Sequence, residues 1–179
     1  MLIHQIQDLS NSKVIKILEQ GLSQVTEPNL IKNYHPDYCN NNANLFFILE
    51  NGRYKIGNYF VAEEDGEYIG SSGWNWYEDD IVLALTRTYI LPKHRQKYLM
   101  ANTFLPMILE ETTSYNRIWA TVNTYNKVMY DGVLRMIQGK PAGLHNKWPE
   151  VYKNMVPLGI KTINYTEQYV VEYIRNHSE

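Results

Sequence analysis

The middle of the chain consists of β-prone runs of apolar and aromatic residues separated by short polar segments, which is typical of β-strands connected by turns. Residues 56–91, IGNYFVAEEDGEYIGSSGWNWYEDDIVLALTRTYIL, contain two β-prone runs separated by Asp65-Gly66. An Asp-Gly pair between such runs is a strong signal for a β-hairpin. A second polar turn at residues 78–80 precedes the run IVLALTRTYIL. We therefore expect three antiparallel strands connected by two short turns.

The last of these strands is apolar on both faces, which predicts that it lies at the centre of a sheet and is covered on both sides. Strict alternation assigns three of its side chains to one face, Ile81, Leu83 and Leu85. It assigns three others to the opposite face, Val82, Ala84 and Ile90.

Helical spacing of apolar residues occurs on both sides of this β-region. Residues 9–24 have the spacing of a helix that follows a Ser/Asn cap. Two prolines and the run NNNAN predict an irregular segment, a candidate lid over a site, over residues 26–44. After Pro92 we expect a helix from about Lys97 to Thr113, in which Pro106 introduces a kink or marks a restart.

The C-terminal third predicts further alternation of strands and helices. We expect a short buried strand over 117–122, a helix over 126–137, a loop with a short helix over 139–157, and one or two closing strands over 159–174. This order of elements predicts an α/β (α+β) fold in one domain, residues 1–179, with a mixed sheet.

Composition and charge narrow the classes of partner. With 179 residues, 44% of them hydrophobic, the chain is long enough to bury a core without a metal or a disulfide. Seventeen basic and nineteen acidic residues give a net charge of −2, which argues against a nucleic acid or a membrane as the main partner. One cysteine, no signal peptide and no long apolar run predict a cytoplasmic location.

Candidate chemistry begins at residues 89–106, YILPKHRQKYLMANTFLP, where a strand, a basic cluster and a helix start follow one another. Free backbone N–H groups and the helix dipole attract phosphate at such a helix start. Glycines usually let the phosphate approach the backbone, but this stretch contains none. Either this stretch binds a diphosphate, or its basic side chains are only exposed to solvent at the connection between the strand and the helix.

Two motifs in this order of elements resemble the GNAT superfamily of acetyl-CoA-dependent N-acetyltransferases. The superfamily pattern V-x-P-x-x-R-x-x-G-x-G/A matches I-L-P-K-H-R at Ile90, Pro92 and Arg95, with Tyr98 and Met100 in place of the glycines. The superfamily also has an Asn after the next strand and a Tyr seven residues later. N-T-Y-N-K-V-M-Y supplies both, as Asn123 and Tyr130.

The resemblance implies a GNAT-like fold, with a mixed, mostly antiparallel central sheet flanked by helices and an insertion at about 138–157. It implies acetyl-CoA as co-substrate, with the pantetheine arm paired to the backbone at the end of the central strand. Tyr130 would be the general acid that returns a proton to the CoA thiolate. The implied cofactor-binding residues are Ile90, Leu91, Arg95, Gln96, Lys97, Tyr98, Leu99, Met100, Ala101, Asn123 and Asn126.

Four other residues are candidates for binding the acceptor, an amine on a small molecule or a peptide. Trp74 and Trp76 fall on one face of their strand, where they either wall a pocket or pack in the core. Asp80 either acts as a base through water or belongs to a solvated turn. Arg87 either orients an acceptor carboxylate or pairs with an acid. No metal site is expected.

Two functions remain open at this point. The first is an N-acetyltransferase, in which the amine attacks the thioester directly. The alternative is a catalytically inactive GNAT-like binding or assembly protein. The missing glycines favour it, and so do the apolar Ile81 and Val82 at the position where the resemblance implies a glutamate as general base. A homodimer is conceivable through the tyrosines near the C-terminus, Tyr165, Tyr169 and Tyr173.

Overall fold

A computed structural model of the chain describes residues 1–5, 56–78, 80–97, 99–124, 126–139, 150–163 and 166–175. The predicted helix over 9–24 and the predicted irregular segment over 26–44 lie outside these residues. Of the helices in the described part, none has the length and apolar character that crossing a membrane requires.

In the described part of the chain, seven strands form one sheet. They are β1 (Leu2–Gln5), β2 (Ile56–Glu64), β3 (Glu67–Glu78), β4 (Ile81–Ile90), β5 (Arg117–Asn123), β6 (Met155–Ile163) and β7 (Thr166–Tyr173). Their order is β1-β2-β3-β4-β5-β7-β6, and every neighbouring pair is antiparallel except β4 and β5. The predicted mixed, mostly antiparallel sheet is confirmed, although the pattern did not reveal the four-residue β1.

The predicted hairpin joins β2 to β3. Asp65 and Gly66 both have positive φ values, 52° and 77°. Two residues in this left-handed region form the turn whose twist matches that of the flanking strands, which is why Asp-Gly is favoured there. With β4 paired antiparallel to β3, the expected meander of three strands is present.

Two α-helices are described, α1 (Leu105–Glu111) and α2 (Lys127–Ile137). The other helical segments are short: 3-10 turns at Pro92–Lys97 and Glu150–Asn154, and a π-helical segment at Met100–Phe104. The helix predicted over 97–113 therefore consists of a π-helical segment followed by α1. The closing strands number two, and β6 begins at Met155, four residues before the predicted start.

Pro106 explains the change of helical form. Proline has no N–H to donate, and its ring clashes with the carbonyl four residues earlier in a regular α-helix. Just before Pro106, the N–H of Leu105 donates to the carbonyl of Met100, a bond that spans five residues and widens the helix. The proline thus marks a restart, one of the two predicted outcomes.

The core lies on both faces of the sheet, with both described helices on one of them. The larger cluster joins the sheet to α1 and α2 and includes Phe60, Ile69, Trp74, Val82, Ala84, Phe104, Leu105, Ile108, Ile118, Val133 and Val171. The smaller cluster occupies the opposite face and consists of Ile81, Leu83, Trp119, Ile163 and Val170. The burial of β4 on both faces was predicted, and residues 81–84 are 4% exposed or less.

One side chain of β4 lies on the face opposite to the predicted one. Alternation placed Leu85 with Ile81 and Leu83, but Leu85 packs against the larger cluster, with Val82 and Ala84. That assignment was wrong because Leu85 is an additional residue in the strand, as described below.

Candidate functional site

The two central strands separate part-way along their length. β4 and β5 pair in parallel from Ile81 opposite Arg117 to Ala84 opposite Ala120, and their mutual pairing stops there. The far edge of β4 stays paired with β3, and the far edge of β5 stays paired with β7. We call the gap between Leu85–Ile90 and Thr121–Asn123 the β4–β5 opening. Its two sides are strand edges whose backbone groups are not engaged by each other.

A β-bulge at Leu85 produces this separation. On β3, Gly73 pairs with Thr86 and the next residue, Trp74, pairs with Ala84, so Leu85 is an additional residue in β4. Its φ of 57° lies in the left-handed region, which leucine rarely adopts. A bulge bends its strand and increases the local twist. The rest of β4 therefore turns away from β5.

Hydroxyl groups surround the bulge. Thr88 Oγ1 donates to the carbonyl of Leu85 at 2.7 Å and lies 2.6 Å from the hydroxyl of Ser72, which is fully buried. Thr86 Oγ1 donates to Asn75 Oδ1 at 3.4 Å. Buried polar groups are stable when they are hydrogen-bonded, and these contacts satisfy several of them inside an otherwise apolar sheet.

Arg95 lies at the far end of the opening. The N–H of Leu91 donates to Ile69 of β3, and successive residues of a strand direct their backbone groups to opposite edges. The carbonyl of Ile90 therefore points toward the opening, where it accepts a bond from Arg95 Nε at 3.2 Å. The Arg95 guanidinium lies 5.9 Å from the centre of the Tyr89 ring.

One ion pair and one histidine–carboxylate contact attach the turn after β4 to the β2–β3 hairpin. Lys93 Nζ lies 2.5 Å from Glu67 Oε2, and His94 Nδ1 lies 3.5 Å from Glu64 Oε2. The lysine pair is exposed to solvent, where such pairs contribute little to stability. The His94 side chain is only 12% exposed, so it is the more firmly placed of the two.

At the start of the helix that follows this turn, the groups that could contact a ligand are backbone N–H groups rather than side chains. Leu99 and Ala101 are buried, and Met100 is partly buried. Leu99 already has helical φ and ψ, and it provides no side-chain acceptor for the first N–H groups. Tyr98 and the side chains of Gln96 and Lys97 lie outside the described residues. The predicted roles of these residues in binding a cofactor stay predictions.

The other side of the opening leads directly into α2. Asn123 ends β5, and its carbonyl accepts from the N–H of Asn126 at 2.8 Å. Asn126 caps α2, because its Oδ1 accepts from the N–H of Met129 at 3.4 Å. This connection places Tyr130 in the first turn of α2, immediately after the open end of β5.

Tyr130 is 8% exposed and stacks face to face on Tyr169 of β7, with ring centres 4.0 Å apart and planes 4° apart. Tyr169 is paired with Val122, so the stacked rings lie beside the opening. Burial, followed by Tyr169 and then Asp131, raises the pKa of the Tyr130 phenol above its usual value of 10.0. Tyr130 is therefore neutral near pH 7 and able to donate a proton.

Trp74 and Trp76 form an aromatic cluster beside the paired half of β4. Trp74 Nε1 donates to Glu111 Oε2 at 2.9 Å, Trp76 Nε1 donates to the Tyr115 hydroxyl, and the two indoles meet edge to face at 4.7 Å. On β4, Trp74 is opposite Ala84 and Trp76 is opposite Val82. Both tryptophans therefore precede the bulge, and a role in binding an acceptor remains a prediction.

The other two acceptor candidates are not brought to the opening by described contacts. Asp80 is exposed, and its carbonyl accepts from the N–H of Arg117 at 3.3 Å. It precedes Leu85 by five residues, roughly 16 Å along a strand that rises about 3.3 Å per residue. The side chain of Arg87 lies outside the described residues. Within the described part of the chain, His, Cys, Asp and Glu form no group of three that could hold a metal.

Four residues of this site were not identified from the sequence. The hydroxyls of Thr86 and Thr88 interrupt an apolar strand, and this was a signal that we could have used. The left-handed Leu85 has no such signal, because leucine is not associated with positive φ. Tyr169 was noted only as a candidate for contacts between subunits. Its stacking on Tyr130 depends on tertiary packing.

The fold is similar to those of several solved acetyltransferases. One is the ribosomal-protein-alanine N-acetyltransferase of Brucella melitensis, with a TM-score of 0.60 and 14% identity over 98% of this chain and 100% of that one. Another is a GNAT-family acetyltransferase of Staphylococcus aureus, with a TM-score of 0.57 and 9% identity over 97% and 100%. A third is the PaiA N-acetyltransferase of Thermoplasma acidophilum in complex with coenzyme A, with a TM-score of 0.57 and 12% identity over 98% and 100%.

By sequence, no family model and no curated protein matches the chain significantly. The likeness to these structures nevertheless spans nearly the whole chain. The protein therefore has the fold of the GNAT superfamily, a class of acetyltransferases. The resemblance predicted from the order of elements and the two short motifs is confirmed at the level of the fold.

Proposed function

We propose that the protein is an N-acyltransferase that moves an acetyl group from acetyl-CoA to an amine on a small molecule or a peptide, in the cytoplasm. The observation that carries the proposal is the β4–β5 opening. It presents two strand edges to a ligand, has Arg95 at one end and has Tyr130 beside the other strand.

The groups around the opening fit the parts of acetyl-CoA. The amides of the pantetheine arm can form hydrogen bonds with an unpaired strand edge, as an added β-strand does. The diphosphate carries negative charge, which Arg95 and the N–H groups at the start of the helix after Tyr98 would attract. One neighbour in fold, PaiA of Thermoplasma acidophilum, was solved with coenzyme A.

The chemistry requires one proton donor at the sulfur. The neutral amine attacks the thioester carbonyl, a C–N bond forms, and the C–S bond breaks. Tyr130 would donate its phenolic proton to the leaving thiolate, and the phenolate would regain a proton when the new amide nitrogen loses one through water. A phenol whose pKa is raised by burial keeps this proton at neutral pH.

A second candidate function, binding of acyl-CoA without transfer, is favoured by one observation. The described side chains along the opening include Leu85, Thr86, Thr88, Tyr89, Ile90, Thr121, Val122 and Asn123, and none of these is a carboxylate. A general base that deprotonates an ammonium acceptor would therefore have to come from elsewhere. A binding protein needs no such base.

The test begins with binding. Acetyl-CoA and free CoA are titrated into the purified protein while thermal unfolding and tryptophan fluorescence are followed. A ligand at 100 times its Kd should add about 2.7 kcal/mol of stability. Absence of any shift at millimolar acetyl-CoA would reject both candidate functions.

Turnover then separates the two candidates. CoA release is measured with a panel of small amines and peptides that carry a free N-terminus. Tyr130→Phe should lower the rate by roughly 10²–10⁴-fold and leave the Kd for acetyl-CoA nearly unchanged. Tyr68→Phe in β3 serves as the matched control. Binding without release of CoA for any acceptor in the panel would favour the non-catalytic candidate.

A further inference from the structure

The bulge of β4 places a leucine in a conformation that costs free energy. Leu85 has a φ of 57°, and apart from Asp65 in the hairpin turn no other described non-glycine residue has a positive φ. Residues held in such sparsely populated regions persist only when the surrounding structure fixes them, and they tend to lie at functional sites. Some contact must therefore hold Leu85.

Two hydroxyl groups provide that contact. Thr88 Oγ1 donates to the carbonyl of Leu85 at 2.7 Å, three residues away in the same strand. The hydroxyl of Ser72 lies 2.6 Å from Thr88 Oγ1, and because the Thr88 proton is directed at Leu85, the Ser72 hydroxyl is the donor in this second bond. Ser72 is completely buried on the neighbouring strand β3, so these hydrogen bonds connect the bulge of β4 to β3.

The hydrogen bonds from Ser72 to Thr88 and from Thr88 to Leu85 lie next to the opening. The last pair between β4 and β5 is Ala84 with Ala120, and Leu85 is the next residue. A second irregularity of β4 lies between Thr86 and Tyr89, the segment that contains Thr88. If Leu85 returned to an extended conformation, the parallel pairing of β4 with β5 could continue past Ala84. The same two strand edges would then bond to each other instead of to a ligand.

We propose that the Ser72–Thr88 hydroxyl pair holds Leu85 in its left-handed conformation and thereby keeps the β4–β5 opening apart. Ser72 and Thr88 are, in this sense, positioning residues for the ligand that the opening binds. The identity of that ligand as acyl-CoA rests on the proposed function, but the mechanical role of the hydroxyls does not.

Ligand-free unfolding tests the mechanical role. Thr88→Val removes the hydroxyl and keeps the branched shape, whereas Thr88→Ser keeps the hydroxyl. Leu85→Gly removes the conformational cost, because glycine adopts positive φ readily. We expect Thr88→Val to lower Tm by roughly 2–4 °C, for a bond of ordinary strength in a chain of this size. Thr88→Ser should restore most of the loss, and in the Leu85→Gly background Thr88→Val should have less than half its effect.

Binding tests the consequence for the site. Thr88→Val should weaken the Kd for acetyl-CoA at least tenfold, and Thr88→Ser should stay within about threefold of the wild type. Should Thr88→Val not fold, Ser72→Ala provides the same comparison with a smaller expected loss. The loss of affinity caused by Ser72→Ala should also be smaller in the Leu85→Gly background.

The Tm and Kd measurements together distinguish the positioning role, the proposed function and the link between the bulge and the opening. Equal Tm losses with leucine or glycine at position 85 would overturn the proposal, because the hydroxyls would then not act on the conformation of residue 85. Suppose that Leu85→Gly reduces the Tm loss caused by Thr88→Val, but the wild type does not bind acetyl-CoA. This result would support the positioning role and reject the proposed function. If Leu85→Gly reduces the Tm loss caused by Thr88→Val, but Thr88→Val leaves the Kd for acetyl-CoA unchanged, the link between the bulge and the opening would be overturned.

Discussion

The two halves of β4 differ in almost every physical property. Residues 81–84 are apolar, at most 4% exposed and paired on both edges. Residues 85–90 include two threonines, are partly exposed where their side chains are described, and are paired on one edge only. Leu85, the first of two additional residues that β4 contains relative to β3, separates the halves. The comparison indicates that one strand can supply both the centre of the core and one side of a site, provided that a bulge divides it.

β5 shows the same division from the other side of the opening. Ile118 and Trp119 are 2% and 6% exposed, whereas Thr121, Val122 and Asn123 are partly exposed. The division is therefore a property of the strand pair and not of β4 alone. We expect stability to depend mainly on the paired half and ligand binding mainly on the open half, and we develop this contrast in four comparisons of variants.

The largest expected effect comes from truncating the paired half of β5. Ile118→Ala removes a side chain that is 2% exposed in the larger core cluster. Such changes typically cost 2–5 kcal/mol, since they lose buried area and leave a cavity. Val122→Ala in the open half of the same strand should cost about 1 kcal/mol, because Val122 is only partly buried. Urea unfolding of both variants measures the difference, and equal losses would contradict the division.

The second prediction compares two tyrosines at alkaline pH. Burial raises the pKa of Tyr152 to about 12, from an ordinary value of 10.0. Between these values the unfolded chain loses this proton while the folded chain keeps it. Stability therefore falls as pH rises through this window. The shift of about 2 units corresponds to roughly 2.7 kcal/mol lost between pH 9 and pH 12.

The variant Tyr152→Phe should retain that part of the stability. Its free energy of unfolding should decline less steeply from pH 9 to pH 12 than that of the wild type. Tyr130→Phe provides the control at the opening. The pKa of Tyr130 is raised in the same direction, but Tyr130 is less completely enclosed, so its removal should change the alkaline slope less. Parallel pH profiles for all three proteins would show that Tyr152 is not ionised on unfolding in this range.

The third prediction concerns the attachment of β2 and β3, the strands beside the paired half of β4, to α1. Glu111 Oε2 accepts from Asn58 Nδ2 at 2.6 Å and from Trp74 Nε1 at 2.9 Å. Glu111→Ala removes an acceptor shared by two partly buried donors, and we expect a cost of roughly 1–3 kcal/mol. Glu110→Ala, at an exposed neighbouring position, should be within about 0.5 kcal/mol of the wild type. Guanidinium unfolding followed by tryptophan fluorescence measures the free energy of unfolding of both variants. Similar values for the two would show that Glu111 does not stabilise this attachment.

The sequence was sufficient to predict the elements that depend on local signals. Asp65-Gly66 identified the hairpin, and the apolar run at residues 81–84 identified the central strand. The order of elements led to the GNAT fold. These signals succeed because turn geometry and two-sided burial each require particular residue types at fixed spacing.

The remaining features depend on contacts between distant residues. Alternation failed at Leu85, because whether a strand contains an additional residue is decided by its partner and by the hydroxyls of Ser72 and Thr88. Tyr169 is 39 residues from Tyr130, and no local pattern predicts that their rings stack. The candidate site was therefore predictable where it follows a motif and not where it follows from packing.

The smallest expected effect separates two roles of one residue at the open half. Asn126 was expected to bind the cofactor, and the structure shows that it caps the helix that carries Tyr130. The cap bond is long, 3.4 Å, so Asn126→Ala should cost about 1 kcal/mol or less. Asn126→Ser should restore this stability, because serine is also a good cap.

Affinity for acetyl-CoA then shows whether capping is the only role of Asn126. If it is, Asn126→Ser binds acetyl-CoA as tightly as the wild type, and Asn126→Ala weakens binding only as far as it loosens the first turn of α2. If the amide also contacts the ligand, Asn126→Ser will unfold like the wild type yet bind several-fold more weakly. Thermal unfolding and titration of the same two variants distinguish these cases. The second outcome would extend the open half beyond the end of β5 into the start of α2, because a residue of the helix would then belong to the binding surface.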